Sequence, residues 1–222
     1  MDDGHTHPQT DALTAAKAPD VVMCWSCRGP VRAGQPFCET CKAVQPPGQV
    51  DHFRRLGVPM TFDVDVAALD AKFFELQRQL HPDRFATRTP REKAFSQQQA
   101  VALNEAYETL KDNLKRADYL LEVRGVDQMP DGCHLVNDQA LLMESMELRE
   151  ALADAETPED VERVANRAAG DINVCVADLS GAFKVMDLER ACYLVTRLKY
   201  LTKLSAEARQ RRARFAAAAF VL

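Results

Sequence analysis

An all-α fold is the architecture this sequence predicts, with one small non-helical segment near the N-terminus. Apolar residues recur at helical spacing through two long stretches, about 50–121 and 137–214. Helix start signals stand ahead of several of these runs. Outside residues 21–48, no alternating apolar pattern is long enough for a sheet, and no internal repeat is visible. Taken in order, the chain divides into a tail (1–20), a cysteine segment (21–48), a first helical unit (50–124), a linker (125–136) and a second helical unit (137–222).

The first twenty residues, MDDGHTHPQTDALTAAKAPD, are polar and acidic. They contain no apolar signal-peptide centre, and they lack the arginine-rich, acid-poor make-up of an organelle transit peptide. The expectation is a disordered tail on a cytoplasmic protein, with His5 and His7 solvated.

Residues 21–48 carry Cys24-x-x-Cys27 and Cys38-x-x-Cys41, separated by a spacer of ten residues. Gly29, Pro30, Gly34 and Pro36 lie between the pairs, and Pro46-Pro47-Gly48 closes the segment, a composition for turns. Two turns offering two thiolates each suit a tetrahedral ion, so a structural zinc knuckle is expected. So short a segment has no core of its own, and metal would hold it together. Iron in a four-thiolate site is the hardest rival. A redox dithiol is the other, although no thioredoxin-like βαβ pattern surrounds the pairs. Trp25 and Phe37 are expected to cover the knuckle. The remaining cysteines, Cys133, Cys175 and Cys192, are scattered and expected to be reduced, with Cys175 and Cys192 as small core residues.

In the first helical unit, Asp51-His52-Phe53 starts a short helix that ends at Gly57. Asp65 can cap the next, which spans Val66 to Leu80. Its Leu69, Phe73, Leu76 and Leu80 form one apolar stripe. A third helix runs from about Pro90 to Lys111 and repeats the spacing with Leu103, Tyr107 and Leu110. Two such stripes bury each other in an antiparallel hairpin. A short helix, Leu114 to Val123, closes the open face.

The second helical unit holds three helices. NDQALLMESMELREALADA has Asn137 or Asp138 at its cap. The next opens with Thr157-Pro158-Glu159-Asp160, a cap, a proline at the first helical position and acids in the first turn. It runs to about Phe183. The last begins near Asp187 and carries Leu188, Ala191, Leu194, Val195, Leu198 and Leu201. Amphipathic helices joined by short links form an antiparallel bundle. Arg209, Arg211, Arg212 and Arg214 read as a solvated, dipole-complementing helix end.

The 222 residues are 46% apolar, enough for a sizeable core. A formal net charge of −5 argues against a general nucleic-acid binder. No apolar run approaches the roughly 18 residues that cross a bilayer. There is no Gly-rich phosphate loop, so no bound nucleotide is expected. No Ser/His/Asp set or paired-carboxylate cleft is evident, so the chain does not read as an enzyme.

His81-Pro82-Asp83 sits between the two antiparallel helices, with basic residues around it. That placement resembles the signature of a J-domain, a four-helix module that stimulates ATP hydrolysis by DnaK-type chaperones. Three stretches extend the resemblance: DHFRRLGVPMTFDVDVAALDAKFFELQRQLHPDRFA from Asp51, NEAYETLKDNLKRADYLL from Asn104 and LLMESMELRE from Leu141. Together they are similar to the HscB family, J-protein co-chaperones of iron–sulfur cluster biogenesis, over roughly Asp51 to Arg214. Asn113 departs from the proline that many J-domains carry after the third helix. The cysteine segment resembles the extension on mitochondrial members. Because the tail lacks a transit-like leader, a bacterial cytoplasmic protein is favoured, with the mitochondrial matrix as the location for a eukaryotic source.

The resemblance implies two partners, a DnaK/HscA-type ATPase chaperone and an IscU-type scaffold protein. His81, Pro82 and Asp83, with Lys72, Arg78, Arg84 and Arg88, would engage the chaperone; Asp83 can accept charge-assisted hydrogen bonds from an arginine. Leu142, Met143, Met146, Glu147 and Glu150, with Tyr200 from the last helix, would hold the scaffold. From the residues alone the Leu/Met stretch is equally a core face or a binding face. If Leu141, Met143, Met146 and Leu148 were all core, they would cover most of the helix circumference. The alternative function is a J-domain co-chaperone serving another client.

Overall fold

The computed structural model describes residues 20–126, 133 and 139–219. The expected tail, most of the linker and the Asn137/Asp138 cap lie outside the described residues. Two short strands, β1 (Val21–Met23) and β2 (Pro30–Arg32), pair antiparallel with Val21 opposite Arg32. Seven helices follow: α1 (His52–Leu56), α2 (Val66–Leu80), α3 (Pro90–Lys111), α4 (Asn113–Val123), α5 (Gln139–Ala153), α6 (Pro158–Lys184) and α7 (Leu188–Ala219). Among the described residues there is no other strand pair, and no helix is long and apolar enough to cross a membrane.

Local chemistry sets the ends of these helices. The Asp51, Asp65 and Asp112 carboxylates accept from the third helical N–H of α1, α2 and α4. Thr89 and Thr157 build capping boxes with Glu92 and Asp160, each followed by proline. Gly57 stops α1 in the left-handed region (φ 67°), where a side chain would be strained. The α2 stripe buries Leu69, Phe73 and Leu80 against Leu103 and Leu110 of α3, and Phe73 stacks on Tyr107 at 3.9 Å. Each such side chain taken out of water contributes roughly 1.5–3 kcal/mol.

One continuous core runs from the cysteine segment through both helical units. α4 packs on α7, Phe62 stacks on Phe183 at 5.4 Å, and Asp63 and Asp118 pair with Lys184 and Lys199, each at 2.8 Å. The two units therefore meet through a packed face. α6 and α7 form a long hairpin around Val185–Asp187, with α5 laid against both. Arg211, expected to be solvated, instead donates to the Ala153 and Ala155 carbonyls at the end of α5. Arg212 pairs with Glu162 at 2.6 Å.

The scattered cysteines correct one expectation. Cys175 is buried and donates to the Leu194 carbonyl, and burial pushes its thiol up to about 11. Cys133 and Cys192, however, form a disulfide that spans 59 residues. No spacing rule in the sequence brings those two positions together; Cys133 packs against the core, and α7 carries Cys192.

Candidate functional site

The His81-Pro82-Asp83 tip is built by a helix that cannot continue. α2 ends at Leu80, His81 leaves helical geometry (φ −56°, ψ 129°), and Pro82 opens a single 3-10 turn to Phe85. His81 Nδ1 accepts from the Asp83 N–H at 3.3 Å, with the Asp83 carboxylate 3.6 Å away. The tip is anchored from below. Phe85 is buried in the core, and Ser96 of α3 donates to the free Leu80 carbonyl at 2.7 Å. Tyr107 and Lys111 of α3 both reach Asp70 of α2, bracing the hairpin. The Asp83 side chain is 90% exposed and accepts no hydrogen bond from the described residues, so its oxygens face outward.

Arg78, Arg84 and Arg88 are exposed around this tip. Lys72 is not brought to it. It lies eight residues before Leu80, roughly 12 Å along the helix. There it pairs with Glu75 at 3.2 Å and lines a different cleft, with Asp20, Arg32 and Arg54.

The helix α5 resolves the ambiguity of its Leu/Met stretch. Leu141, Leu148 and Leu152 are buried, whereas Leu142, Met143 and Met146 are 43%, 54% and 60% exposed. Glu147 and Glu150 are exposed as well. Three large apolar side chains held in water on one helix form the kind of patch that partners cover. Tyr200 is half-buried and lines a small recess with Leu141, Glu144, Ser145 and Arg197.

Beneath that recess lies a pair the sequence did not reveal. Arg197 of α7 grips Glu144 of α5 through Nη2 and Nε, at 2.6 and 3.0 Å. Hydrogen bonding to Glu144 raises the already high Arg197 pKa further against partial burial. This fork sets α5 on α7 and so orients the exposed face. Arg197→Met should lower the unfolding free energy of the bundle by about 1–3 kcal/mol, because Glu144 keeps only part of its water contact. Urea denaturation followed by circular dichroism checks this.

The four cysteines converge. Every Sγ of Cys24, Cys27, Cys38 and Cys41 lies within 4.8 Å of the others, with Cys24–Cys41 at 3.6 Å and Cys27–Cys38 at 3.7 Å. A tetrahedron of metal–sulfur bonds near 2.3 Å has edges of about 3.8 Å, so the donor set fits a four-thiolate metal ion. The two turns repeat each other. Arg28 and Lys42, each following the second cysteine of its pair, take φ 60° and donate back to the Cys24 and Cys38 carbonyls. A Cβ on Gly29 would lie 3.3 Å from both Cys27 Sγ and Thr40 Oγ1, so the close approach of the turns leaves little room for a side chain there.

Charge completes the case for a cation. Burial opposes ionisation of Cys24, but N–H groups of Cys27 and Ser26 outweigh it and hold the thiol down to about 6. For Cys27, the Gly29 N–H favours the thiolate, yet the neighbouring sulfurs prevail and push it up to about 11. Four clustered thiolates need positive charge among them, which a divalent ion supplies.

Trp25 and Phe37, expected to cover the knuckle, lie on the side of it that meets α3 and the core. Trp25 donates to the Val44 carbonyl at 2.7 Å and meets Phe95 of α3 edge-on at 5.8 Å, with the Arg91 guanidinium 4.5 Å over its ring. Phe37 packs with buried Val44 on the main core. Gln99 of α3 donates to the Gln45 carbonyl, and Arg55 to those of Pro47 and Gly48. The two aromatics thus belong to the seam that fastens the knuckle to α3. A lone Trp beside a cysteine carries no sign of which surface it will face.

Comparison with known proteins agrees with this architecture. Residues 51–119 match the DnaJ domain family, and residues 137–209 match the HSCB C-terminal oligomerisation domain. The mouse iron-sulfur cluster co-chaperone protein HscB is 33% identical over 82% of this chain and 79% of its own, and the human protein is equally similar. The crystal structure of human HscB superimposes with a TM-score of 0.79 at 31% identity, over 86% of this chain and 98% of that one. HscB from Vibrio cholerae gives 0.66 at 32% identity, over 75% and 99%. A J-domain tip, a C-terminal three-helix bundle and a tetracysteine cluster before the J-domain go with these similarities: the chain belongs to the HscB family of J-domain co-chaperones.

Proposed function

We propose that this chain carries an IscU-type scaffold protein to an Hsp70-type ATPase and triggers ATP hydrolysis there, so that the scaffold's iron–sulfur cluster is released or transferred. It performs no chemical step of its own. The observation that carries this reading is the separation of two outward-facing sites: a rigid tip at His81-Pro82-Asp83 and an apolar face at Leu142, Met143 and Met146. The tip engages the chaperone through Asp83 and the exposed Arg78, Arg84 and Arg88, favouring its hydrolysis-competent state. Lys72, roughly 12 Å back along α2, would extend the docking surface beyond the tip rather than form part of it. Leu142, Met143, Met146, Glu147 and Glu150 hold the scaffold, with Tyr200 beside them. Methionine suits such a face because its unbranched side chain adapts to the surface it meets.

The same reading assigns zinc to Cys24, Cys27, Cys38 and Cys41 as a structural ion. It divides the chain into a knuckle (21–48), a J-domain (50–124) and a C-terminal bundle (137–222). Relatives in a bacterium and in mammals fit action in a bacterial cytoplasm or in a mitochondrial matrix; for a bacterial source it is the cytoplasm.

The deciding experiment is steady-state ATPase measurement on an Hsp70-type chaperone, with and without the scaffold. Stimulation by this chain, amplified by scaffold, is the expected result; a folded chain with no effect would overturn the proposal. The scaffold face has its own test. Leu142→Ala with Met143→Ala and Met146→Ala should weaken scaffold binding roughly 100-fold, since truncating central apolar anchors costs about 1 kcal/mol or more each. Calorimetry checks the affinity. Circular dichroism should stay helical, because these side chains are already in water.

A further inference from the structure

The knuckle stands at the edge of the tip and shares a cleft with it. A cleft of about 510 Å³ has Trp25, Phe37 and Lys42 on its knuckle wall and Arg84, Phe85 and Arg88 on its tip wall. Its position is fixed by the Trp25–Phe95 contact, by Arg91 over the indole, and by Gln99 on the Gln45 carbonyl. The knuckle is therefore held rigidly relative to His81-Pro82-Asp83.

The cleft has three cations in its lining against one carboxylate, Glu92, which feels the Arg88 charge, and the Cys41 sulfur. Lys42, Arg84 and Arg88 are exposed, and among the described residues none has an ion pair within 4.0 Å. The one lining carboxylate, Glu92, is turned onto the Thr89 hydroxyl and N–H in the α3 capping box. Lys42 owes its place to the knuckle fold, at the left-handed position that follows Cys41. Cations from two separate parts of the chain thus face one opening, with aromatic floor between them.

We infer that the knuckle forms a second wall of the chaperone-docking surface: an acidic segment of the Hsp70-type chaperone engaged at the tip lies in the cleft between Arg84 and Arg88 on one side and Lys42 on the other. This rests on the reading that the tip engages the chaperone. Continuity argues for that occupant, since Arg84 directly follows Asp83 in the same 3-10 turn. A partner seated on Asp83 reaches the cleft without leaving the surface.

The test is an ATPase titration of the Hsp70-type chaperone with the full chain. Lys42→Asp reverses the charge at a residue whose backbone conformation aspartate tolerates. It should raise the concentration for half-maximal stimulation about tenfold and leave the maximal rate unchanged, because rim charges act on encounter and affinity. Added salt should weaken the wild-type chain more than this variant. Ser26→Glu, an exposed position of the first cysteine turn on the same wall, places a carboxylate there while keeping the backbone N–H that donates to Cys24 Sγ, and should act in the same direction. It decides the matter if Lys42→Asp disturbs Trp25 fluorescence. His81→Gln is run alongside. If wild type stimulates, His81→Gln does not, and both knuckle variants titrate like wild type, the tip keeps its role and the inference is overturned. If wild type itself fails to stimulate, the underlying reading falls first.

Discussion

His81→Gln reduces stimulation of the chaperone ATPase to the basal rate while the protein stays folded. The structure separates the two effects. The His81 side chain is about half exposed; among the described residues it accepts from the Asp83 N–H and stands 3.6 Å from the Asp83 carboxylate. Losing such a contact costs at most about 1 kcal/mol, the size of a helix cap. The tip itself is held by Phe85 and by the Ser96 bond to the Leu80 carbonyl, which the substitution leaves untouched. The loss therefore falls on recognition. Asp83→Asn should behave the same way, since an amide keeps the shape and removes the charge that an arginine partner reads. ATPase rates with thermal melts check both. A folded variant that stimulates like wild type would falsify the role of the tip.

Stripping the metal unfolds residues 21–48 and leaves α1–α7 standing. Structural zinc in a small four-thiolate site contributes on the order of 10–16 kcal/mol near neutral pH, far more than the small cluster of Cys24, Val31 and Cys38 can supply. With the ion gone, Trp25 leaves Phe95 and Val44 leaves the core, so the J-domain should lose roughly 1.5–3 kcal/mol of burial. Trp25 is the only tryptophan, so its emission should shift to the red when a chelator is added or when Cys24→Ser is made. Acid should release the metal too. The ligands bind as thiolates, so protons compete with the ion as pH falls. One zinc per chain is expected after anaerobic purification. Iron in its place would reassign the site, and emission insensitive to chelation would end the structural role.

The helices were legible because their signals are local. Asp51, Asp65, Thr89 and Thr157 mark their own helix starts by side-chain chemistry within three residues. The stripe of Leu69, Phe73 and Leu80 has a period that only one secondary structure satisfies. The His-Pro-Asp turn and the paired cysteines are likewise short-range patterns. What Trp25 and Phe37 pack the knuckle against is not local. Their neighbours in sequence are cysteines, but Trp25 meets Phe95, far along the chain, and Phe37 packs on the core that Val44 joins. The Leu/Met stretch on α5 stayed ambiguous because seven-residue spacing does not say how many sides of a helix are covered.

What the sequence determined by itself is the set of helices, the turn that carries His81-Pro82-Asp83, and the four thiolates as one donor set. Tertiary structure alone decided that Leu142, Met143 and Met146 face water, that Arg197 grips Glu144, that Cys133 meets Cys192, and that the knuckle is bound beside the tip. The division follows from range. Caps, turns and stripes are written within one or two helical turns, whereas exposure and pairing depend on which distant surface arrives, and no single segment encodes that.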